Sequence, residues 1–231
     1  MRVYQFMSAA HALDNLHKRR LKASTVTDMN DPFELLAISL DDCGARQTIL
    51  KWREEMSLVA KVLCFTTGWN NPVLWSHYAD KHYGIALGFD VPDQYALPVT
   101  YESERLQIDL ASFRSSSEEK RKEMVRSLLL TKFSAWSYEA EVRVLLKPTE
   151  TYDEMGIAFV SFSDELVPRE AIIGPRCTVA TDEVTRAAAG LNGGLIGSTH
   201  IESDSQGRSV NASRDISNAA ACWCATPSTN S

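Results

Sequence analysis

The residues best suited to chemistry lie in positions 64–84, where aromatic rings, histidines and hydroxyl groups are concentrated. Trp75, His77 and Tyr78 fall within one short helix that the pattern predicts after the turn at 70–72. Aromatic faces can hold a planar ring such as a nicotinamide or a nucleobase, while hydroxyl groups orient its amide. The alternative is that Trp75 and Tyr78, three residues apart on a helix, only pack inward. The segment is therefore a candidate ligand pocket, with plain core as the competing interpretation.

A second candidate is the pair Glu139 and Glu141, at the start of a predicted strand. In an extended strand, residues two apart share one face, so each carboxylate can shift the pKa of the other. A carboxylate beside a sugar ring can stabilise the positive charge that develops at the anomeric carbon when a glycosidic bond breaks. The alternative is that both glutamates pair with Arg143 or Lys132 on a solvated surface.

A metal site is not expected from the histidines. His77 and His82 are five residues apart, whereas two ligands on one helix face are usually four apart. A metal-dependent nuclease or hydrolase that uses Asp80 with these histidines stays open as an alternative. The chain lacks the GK[ST], GxGxxG and GxSxG patterns, so phosphate-loop and serine-hydrolase functions lose their main support. The NDPFE block at residues 30–34 is most simply a rigid turn.

Composition places the chain among ordinary globular proteins. It has 231 residues, of which 44% are hydrophobic and 23% charged, with a net charge of -6. The acidic balance argues against binding nucleic acid by bulk electrostatics. There is no apolar run of signal-peptide or membrane-span length, and five scattered cysteines suit a reducing compartment. We therefore expect a cytoplasmic protein that does not associate with membranes.

The elements that must position these residues form an α+β pattern. Residues 1–190 are predicted to form a single domain, with short strands separated by amphipathic helices. From residue 191 to 231 the composition shifts to Gly, Ser, Asn, Ala and Thr, which predicts a poorly ordered tail. The predicted strands lie at 3–6, 62–66, 85–90, 141–147, 157–162 and 171–174.

Several blocks in this order resemble a bacterial family known as domain of unknown function 2971. They are the tyrosine-bearing first strand VYQF, the NDPFE block, the strand that begins Cys-Phe-Thr, the run WSHYADKHYGIALGFD, the block YEAEVR and the strand that ends Ile-Ile-Gly. The resemblance spans roughly residues 1–190 and by itself implies no activity.

A more distant resemblance is to the ADP-ribosyltransferase fold, which implies split mixed and antiparallel β-sheets flanked by helices. In that superfamily a first-strand residue binds NAD, a second-strand hydroxyl block supports the nicotinamide ribose, and a late glutamate is catalytic. Carried over, Glu141 is the catalytic residue and Glu139 the upstream acid of the ExE pattern. The residues that would bind NAD are Tyr4 or Gln5 (with Arg2 as a further candidate), Thr66, Thr67, Trp75, His77 and Tyr78.

The resemblance thus implies an NAD-dependent ADP-ribosyltransferase-like enzyme, of the kind found among bacterial toxins and phage-defence effectors. NAD would be its substrate, a protein or nucleic acid its acceptor, and no metal is expected. A non-catalytic module that binds a nucleotide or a partner is the first alternative. The sequence leaves the acceptor and the oligomeric state open.

Overall fold

The computed structural model describes residues 1–29, 43–104, 115–189, 195–203 and 209–215. Its helices are α1 (Ala9–Lys18), α2 (Cys43–Val59), α3 (Pro72–Tyr78), α4 (Glu118–Leu129) and α5 (Thr181–Ala188). Its strands are β1 (Arg2–Met7), β2 (Arg20–Lys22), β3 (Ser24–Thr25), β4 (Lys61–Thr66), β5 (Ile85–Asp90), β6 (Leu97–Pro98), β7 (Thr100–Glu102), β8 (Thr131–Phe133), β9 (Glu141–Leu146), β10 (Tyr152–Glu154), β11 (Ile157–Ser161), β12 (Val167–Ile173), β13 (Leu195–Ser203) and β14 (Ser209–Asp215).

Most of the described strands join one mixed sheet in the order β14-β13-β12-β5-β1-β4-β9-β6, with β3 pairing to the start of β4. Its neighbours run antiparallel except β12 and β13, which are parallel. Strands β10, β11 and β2 form a small antiparallel sheet, and β7 pairs with β8 in parallel. The predicted α+β class with antiparallel sheets and helices is therefore confirmed.

The large sheet has a different character on its two faces, because successive side chains of a strand point to opposite sides. On one face, Val3, Leu87 and Phe65 pack into the main core together with residues of α1 and α5. On the other face, Ala86 and Ile172 pack against α3. The second face also carries the polar residues of the candidate site.

The sheet opens between its two central strands. β1 pairs with β5 at six successive positions, but with β4 only at Tyr4 and Thr66. Beyond that position Gln5 spans the gap, where its Nε2 donates to the carbonyl oxygen of Cys64 at 3.4 Å. We define the opening between β1 and β4 as the central gap.

The chain leaves α3 through a left-handed turn. Asp80, Lys81 and His82 all have positive φ, at 47°, 53° and 75°. Non-glycine residues pay about 1 kcal/mol or more for this conformation, so the surrounding structure must hold it. Backbone bonds do so: the Arg176 amide donates to the His82 carbonyl at 3.1 Å, and the Gly84 amide donates to the Ala79 carbonyl at 2.7 Å.

Gly84→Ala is expected to lower the free energy of unfolding by about 1–3 kcal/mol or more. The added methyl group would clash with backbone atoms, which cannot relieve the clash by changing rotamer. A Cβ at Gly84 would lie 2.1 Å from the Met7 carbonyl oxygen and 2.8 Å from the Ala79 backbone. Gly68→Ala is the matched control, since its Cβ would meet only the Asn70 side chain at 3.4 Å. Urea denaturation of both variants tests this, and equal stabilities would contradict it.

Three sequence predictions can be compared with the fold. The short helix predicted to contain Trp75, His77 and Tyr78 is α3, which ends at Tyr78, just before the left-handed turn that begins at Asp80. β13 and β14 lie in the segment for which the sequence predicts a poorly ordered tail, while the division of the chain near residue 190 stays a prediction. Among the residues described, no helix combines the length and apolarity needed to cross a membrane.

Candidate functional site

A cavity of about 250 Å³ lies at the central gap. Its wall comes from β1, β3, the 3-10 helix Val26–Asp28 with Met29 after it, β4, α3 and the segment that leads from β8 to β9. The residues that line it are Tyr4, Gln5, Phe6, Ser24, Asp28, Met29, Cys64, Phe65, Thr66, Leu74, Tyr78, Lys132, Glu139 and Glu141.

The sheet register brings three of the predicted site residues together. Tyr4 is paired with Thr66 across β1 and β4, and Thr66 is paired with Glu141 across β4 and β9. Directly paired residues of neighbouring antiparallel strands point to the same face. The phenol, the hydroxyl and the carboxylate therefore form a row across three strands.

The two glutamates converge by a different route from the one predicted. Glu139 ends a 3-10 helix, Ser134–Glu139, and Glu141 is the first residue of β9. Ala140 between them is left-handed, with φ 43° and ψ 49°. The prediction that they share one face of a strand is therefore wrong, although both carboxylates reach the same cavity. The turn between them is tied to β4, since the Thr67 amide donates to the Ala140 carbonyl at 3.2 Å.

Lys132 joins the two carboxylates. Its Nζ lies 2.6 Å from Oε2 of Glu139 and 3.1 Å from Oε2 of Glu141. All three side chains are at most 7% exposed. The predicted ion pairs thus exist, but the alternative that placed them on a solvated surface is wrong.

Arg143 holds Glu141 from a second side. Its Nε and Nη2 lie 2.8 Å and 3.0 Å from the two carboxylate oxygens, and its Nη1 donates to the Leu129 carbonyl at 2.5 Å. The Arg143 side chain is fully buried. The planar guanidinium donates two parallel hydrogen bonds to the carboxylate, which fixes the orientation of Glu141. Two buried acids and two buried bases therefore balance in charge.

Tyr78 and Asn71 complete the surroundings of Glu139. The Tyr78 hydroxyl donates to Oε1 of Glu139 at 2.5 Å. Asn71 caps α3 through its Oδ1, which accepts from the Val73 amide, while its Nδ2 donates to the Tyr138 carbonyl at 2.8 Å. One side chain therefore fixes the helix that carries Tyr78 against the segment that carries Glu139.

Burial alone would raise the pKa of the Glu141 carboxyl, but the charges of Arg143 and Lys132 and the hydrogen bonds of Arg143 outweigh it and lower that pKa. A carboxyl whose pKa is lowered by folding adds stability above its ordinary pKa of about 4.3. That contribution is lost as the pH falls through the lowered value.

We expect the free energy of unfolding to fall less steeply below about pH 4.3 in Glu141→Gln than in the unchanged protein, because one linked proton is removed. Urea denaturation at several pH values between neutral and strongly acidic conditions measures the two slopes. Glu165→Gln, at an exposed position, is the control. Parallel curves for the unchanged protein and Glu141→Gln would contradict the linkage.

Tyr4 lines the cavity, but its hydroxyl points to a separate polar group. It donates to Oε1 of Glu170 at 2.9 Å, and burial with the charge of Glu170 raises the pKa of Tyr4 to about 12. Arg2 binds the same Glu170 and also Asp90, at 2.5 Å and 2.6 Å. Arg2 is absent from the described lining residues, so of the three first-strand candidates for binding NAD, Tyr4 and Gln5 border the cavity.

The remaining predicted site residues are not part of the cavity wall. Trp75 is 2% exposed, packs edge-to-face on Phe6, and donates from Nε1 to the Trp69 carbonyl at 2.7 Å. The competing interpretation as core is the one that fits Trp75. His77 is exposed and lies within 3.3 Å of the Tyr138 hydroxyl, while Thr67 contributes the backbone bond to Ala140.

Some site residues were outside the predicted set. Cys64 lines the cavity, and its side chain hydrogen-bonds to Glu141. The Tyr101 hydroxyl accepts from the Glu141 amide at 2.7 Å. The strand alternation that places Thr66 in the cavity also places Cys64 there, so the pattern contained that signal. No comparable pattern marks Tyr101, which reaches Glu141 from β7.

The histidines do not assemble a metal site with neighbouring ligands. Within the residues whose structure is described, no group of three or more His, Cys, Asp or Glu side chains is placed to hold a metal ion. The hydrolase alternative built on His77, Asp80 and His82 therefore gains no support. The NDPFE block at 30–34 and the Cys-Trp-Cys stretch at 222–224 lie outside the described residues.

Comparison with known proteins gives one match. No curated protein and no solved structure matches the chain. One stretch of the chain, residues 74–144, matches a family model. This stretch begins in α3 and ends in β9, so it contains Tyr78, Lys132 and both glutamates. Residues 74–144 match the family model described as "Protein of unknown function (DUF2971)", which supports the relationship to that family expected from the sequence.

Proposed function

We propose that this protein cleaves the bond between nicotinamide and ribose in NAD and transfers ADP-ribose to an acceptor. The observation that carries the proposal is the meeting of Glu139 and Glu141 with Thr66 and Tyr78 in one cavity at the central gap. Hydroxyl groups and carboxylates are the side chains that hold a ribose and stabilise positive charge at its anomeric carbon.

In the proposed reaction, nicotinamide leaves as a neutral molecule with the electron pair of the glycosidic bond. Positive charge then develops on the ribose, shared between its anomeric carbon and ring oxygen. A nucleophilic atom of the acceptor forms the new bond to that carbon and loses its proton to water. A buried carboxylate stabilises this charge more strongly than one in water would, because the cavity has a low dielectric.

We assign the direct role to Glu139 and a positioning role to Glu141. Both oxygens of Glu141 are engaged by the Arg143 fork, and Lys132 adds a further contact. Glu139 instead accepts from Lys132 and from the Tyr78 hydroxyl. A ribose hydroxyl can replace the Tyr78 hydroxyl without leaving a buried charge unpaired, whereas displacing Arg143 would leave one.

The acceptor is proposed only by class. A protein or nucleic-acid acceptor would fit an effector of the toxin or phage-defence kind, and the cytoplasm would supply both NAD and such acceptors. No metal ion is required, because Lys132 and Arg143 already balance the two carboxylates.

The test is to incubate the protein with NAD and measure free nicotinamide by chromatography, with NAD binding measured separately by calorimetry. Binding with nicotinamide release above the rate in buffer is the expected result. Some transferases need their acceptor, so bacterial lysate with labelled NAD is a second arm in which label should join a macromolecule. Failure of both arms, with NAD bound or unbound, would contradict the enzymatic proposal.

A non-catalytic nucleotide-binding module is the second candidate. The observation that favours it is that both carboxylates already have cationic partners in the same cavity, so a ligand could bind without disturbing them. This function predicts NAD binding measured by calorimetry and intact NAD after long incubation in both arms. The same two measurements therefore separate the candidates.

A further inference from the structure

The first cavity is small for a ligand of the length of NAD. At about 250 Å³ it falls below the range of roughly 300–1,000 Å³ in which sites bury most of a drug-sized molecule. A second cavity, of about 400 Å³, adjoins it. The two share Gln5, Phe6 and Ser24 as wall residues, which places the contact between them at the central gap.

Most of the wall of the second cavity comes from elements that do not line the first. α1, β2 and the hairpin of β10 and β11 form most of its wall, together with the end of β1. The residues that line it are Gln5, Phe6, Met7, His11, Asp14, Asn15, Arg20, Lys22, Ser24, Glu154, Met155, Ile157 and Phe159.

A buried guanidinium organises this wall. Arg20 is 3% exposed, and its guanidinium carbon lies 3.6 Å from the centre of the Phe159 ring. Its Nη2 is 3.2 Å from Asp14 and 3.2 Å from Glu154, and its Nη1 also bonds Glu154. Its Nε is buried and has no hydrogen-bond partner among the described atoms.

One cation in the wall of the second cavity is placed to bind an anion. The two carboxylates, Asp14 and Glu154, are matched by Arg20 and by Lys18, whose Nζ lies 2.9 Å and 3.5 Å from them. Lys22 also lines the cavity. It makes no close ion pair with the described part of the chain, although its charge acts on Asp28. Lys18 lies outside the wall, so the two carboxylates and the two cations of the wall, Arg20 and Lys22, balance in charge. Because Arg20 and Lys18 engage both carboxylates, Lys22 is the wall cation that a ligand anion can pair with.

The same cavity offers apolar surface for a ring. Phe6 and Phe159 lie in its wall. At the tip of the hairpin, Met155 is 96% exposed and Ile157 is 41% exposed, and both border the cavity. Thioether and aliphatic side chains pack well against planar rings. The cavity thus combines room, an apolar wall and, in Lys22, one cation without a close ion pair to the described residues.

We propose that the second cavity binds a nucleoside monophosphate group, with its base against the apolar wall and its phosphate directed to Lys22. Only the origin of this group rests on the proposed function. If NAD is the substrate, the group is the adenosine half, and the dinucleotide crosses the central gap after the Gln5 side chain leaves the Cys64 carbonyl. A separate nucleotide with the same chemistry is the other source.

The test uses AMP and nicotinamide mononucleotide as separate probes, with calorimetry on the full chain. AMP is expected to bind, and Lys22→Glu is expected to weaken AMP by about tenfold or more, since a charge-assisted contact becomes repulsive. Lys120→Glu, an exposed charge reversal on α4, is the matched control and should leave AMP binding unchanged. Met155→Glu is a second variant at the cavity mouth and should also weaken AMP.

Competition identifies the source of the group. If NAD displaces both AMP and nicotinamide mononucleotide, while the two probes bind together without competing, one dinucleotide spans both cavities. If NAD leaves bound AMP in place, the site takes a separate nucleotide and the proposal for the cavity still stands. Absence of AMP binding, or equal AMP affinity in Lys22→Glu and Lys120→Glu, would overturn the site whether or not NAD is turned over.

Discussion

Glu139→Gln is expected to reduce the rate of nicotinamide release from NAD by about 100-fold or more, which is the effect typical of removing one well-placed electrostatic group. The amide keeps the size of the carboxylate. Its oxygen can accept from Lys132, and its NH2 group can donate to the Tyr78 hydroxyl. It lacks the negative charge that would stabilise the developing cation on the ribose. Initial rates from the chromatographic nicotinamide assay at saturating NAD give the comparison.

The fold and NAD binding must be followed in the same variant. A neutral side chain at position 139 leaves one buried positive charge in excess, but Lys132 keeps Glu141 as a partner at 3.1 Å, so we expect the Tm to fall less than in Glu141→Gln. The Kd for NAD should also change little, because the carboxylate acts mainly in the transition state. Glu165→Gln, an exposed acid in another part of the chain, is the activity control.

The comparison with Glu141→Gln tests which acid has which role. Glu141→Gln disturbs the Arg143 fork, so its activity and its stability should fall together. Glu139→Gln should lose activity with its fold retained. Normal turnover by Glu139→Gln would remove the direct role from Glu139, and a stable but inactive Glu141→Gln would return that role to Glu141.

The strand patterns in the sequence predict much of the candidate site. Thr66 and Glu141 occur in apolar, β-branched stretches whose side chains alternate between faces, and Tyr4 belongs to a third such strand. Once β1, β4 and β9 are neighbours, these residues must form a row on one face. Alternation is a local property, so the sequence predicts it directly, whereas the order of strands depends on long-range pairing.

The geometry of Glu139 could not be predicted in the same way. It depends on the left-handed Ala140, and alanine has no intrinsic preference for that conformation. Bonds from distant residues hold the turn: the Thr67 amide reaches the Ala140 carbonyl and Asn71 reaches the Tyr138 carbonyl. Sequence periodicity favours an extended Glu-Ala-Glu segment, and tertiary hydrogen bonds override it.

Trp75 illustrates a choice that composition alone leaves open. An aromatic residue in a segment rich in histidine and tyrosine suits a ligand pocket or a core equally well. Its indole N–H donates to the Trp69 carbonyl and its ring packs against Phe6. The polar and the apolar part of the buried tryptophan are therefore both satisfied within the core. Tyr78, three residues later, instead turns its hydroxyl to Glu139.

Arg143→Met is expected to lower the free energy of unfolding by about 3–5 kcal/mol, the cost typical of removing one partner of a buried ion pair. Arg143 is fully buried, and it provides two of the contacts to the Glu141 carboxylate as well as the donor to the Leu129 carbonyl. Methionine fills similar space without a charge or a donor. Urea denaturation near pH 7 measures the loss.

A double variant separates the buried charge from the packing around it. Glu141→Gln with Arg143→Met removes both members of the pair, so no charge of that pair is left without a partner in the interior. We therefore expect the double variant to be more stable than Arg143→Met alone, with a coupling free energy of about 1 kcal/mol or more. Arg126→Met, at an exposed position on α4, is the control for losing an arginine and should change stability by less than about 0.5 kcal/mol.

A small loss of stability in Arg143→Met would contradict this prediction. If Arg143→Met costs less than about 1 kcal/mol with an unchanged m-value, the Glu141 carboxylate must have an alternative partner or access to water. Glu141 would then be free to face a substrate, and the positioning role assigned to it would pass to Glu139. The stability measurement on Arg143 thus decides the same question as the activity measurement on Glu139, by a physically independent route.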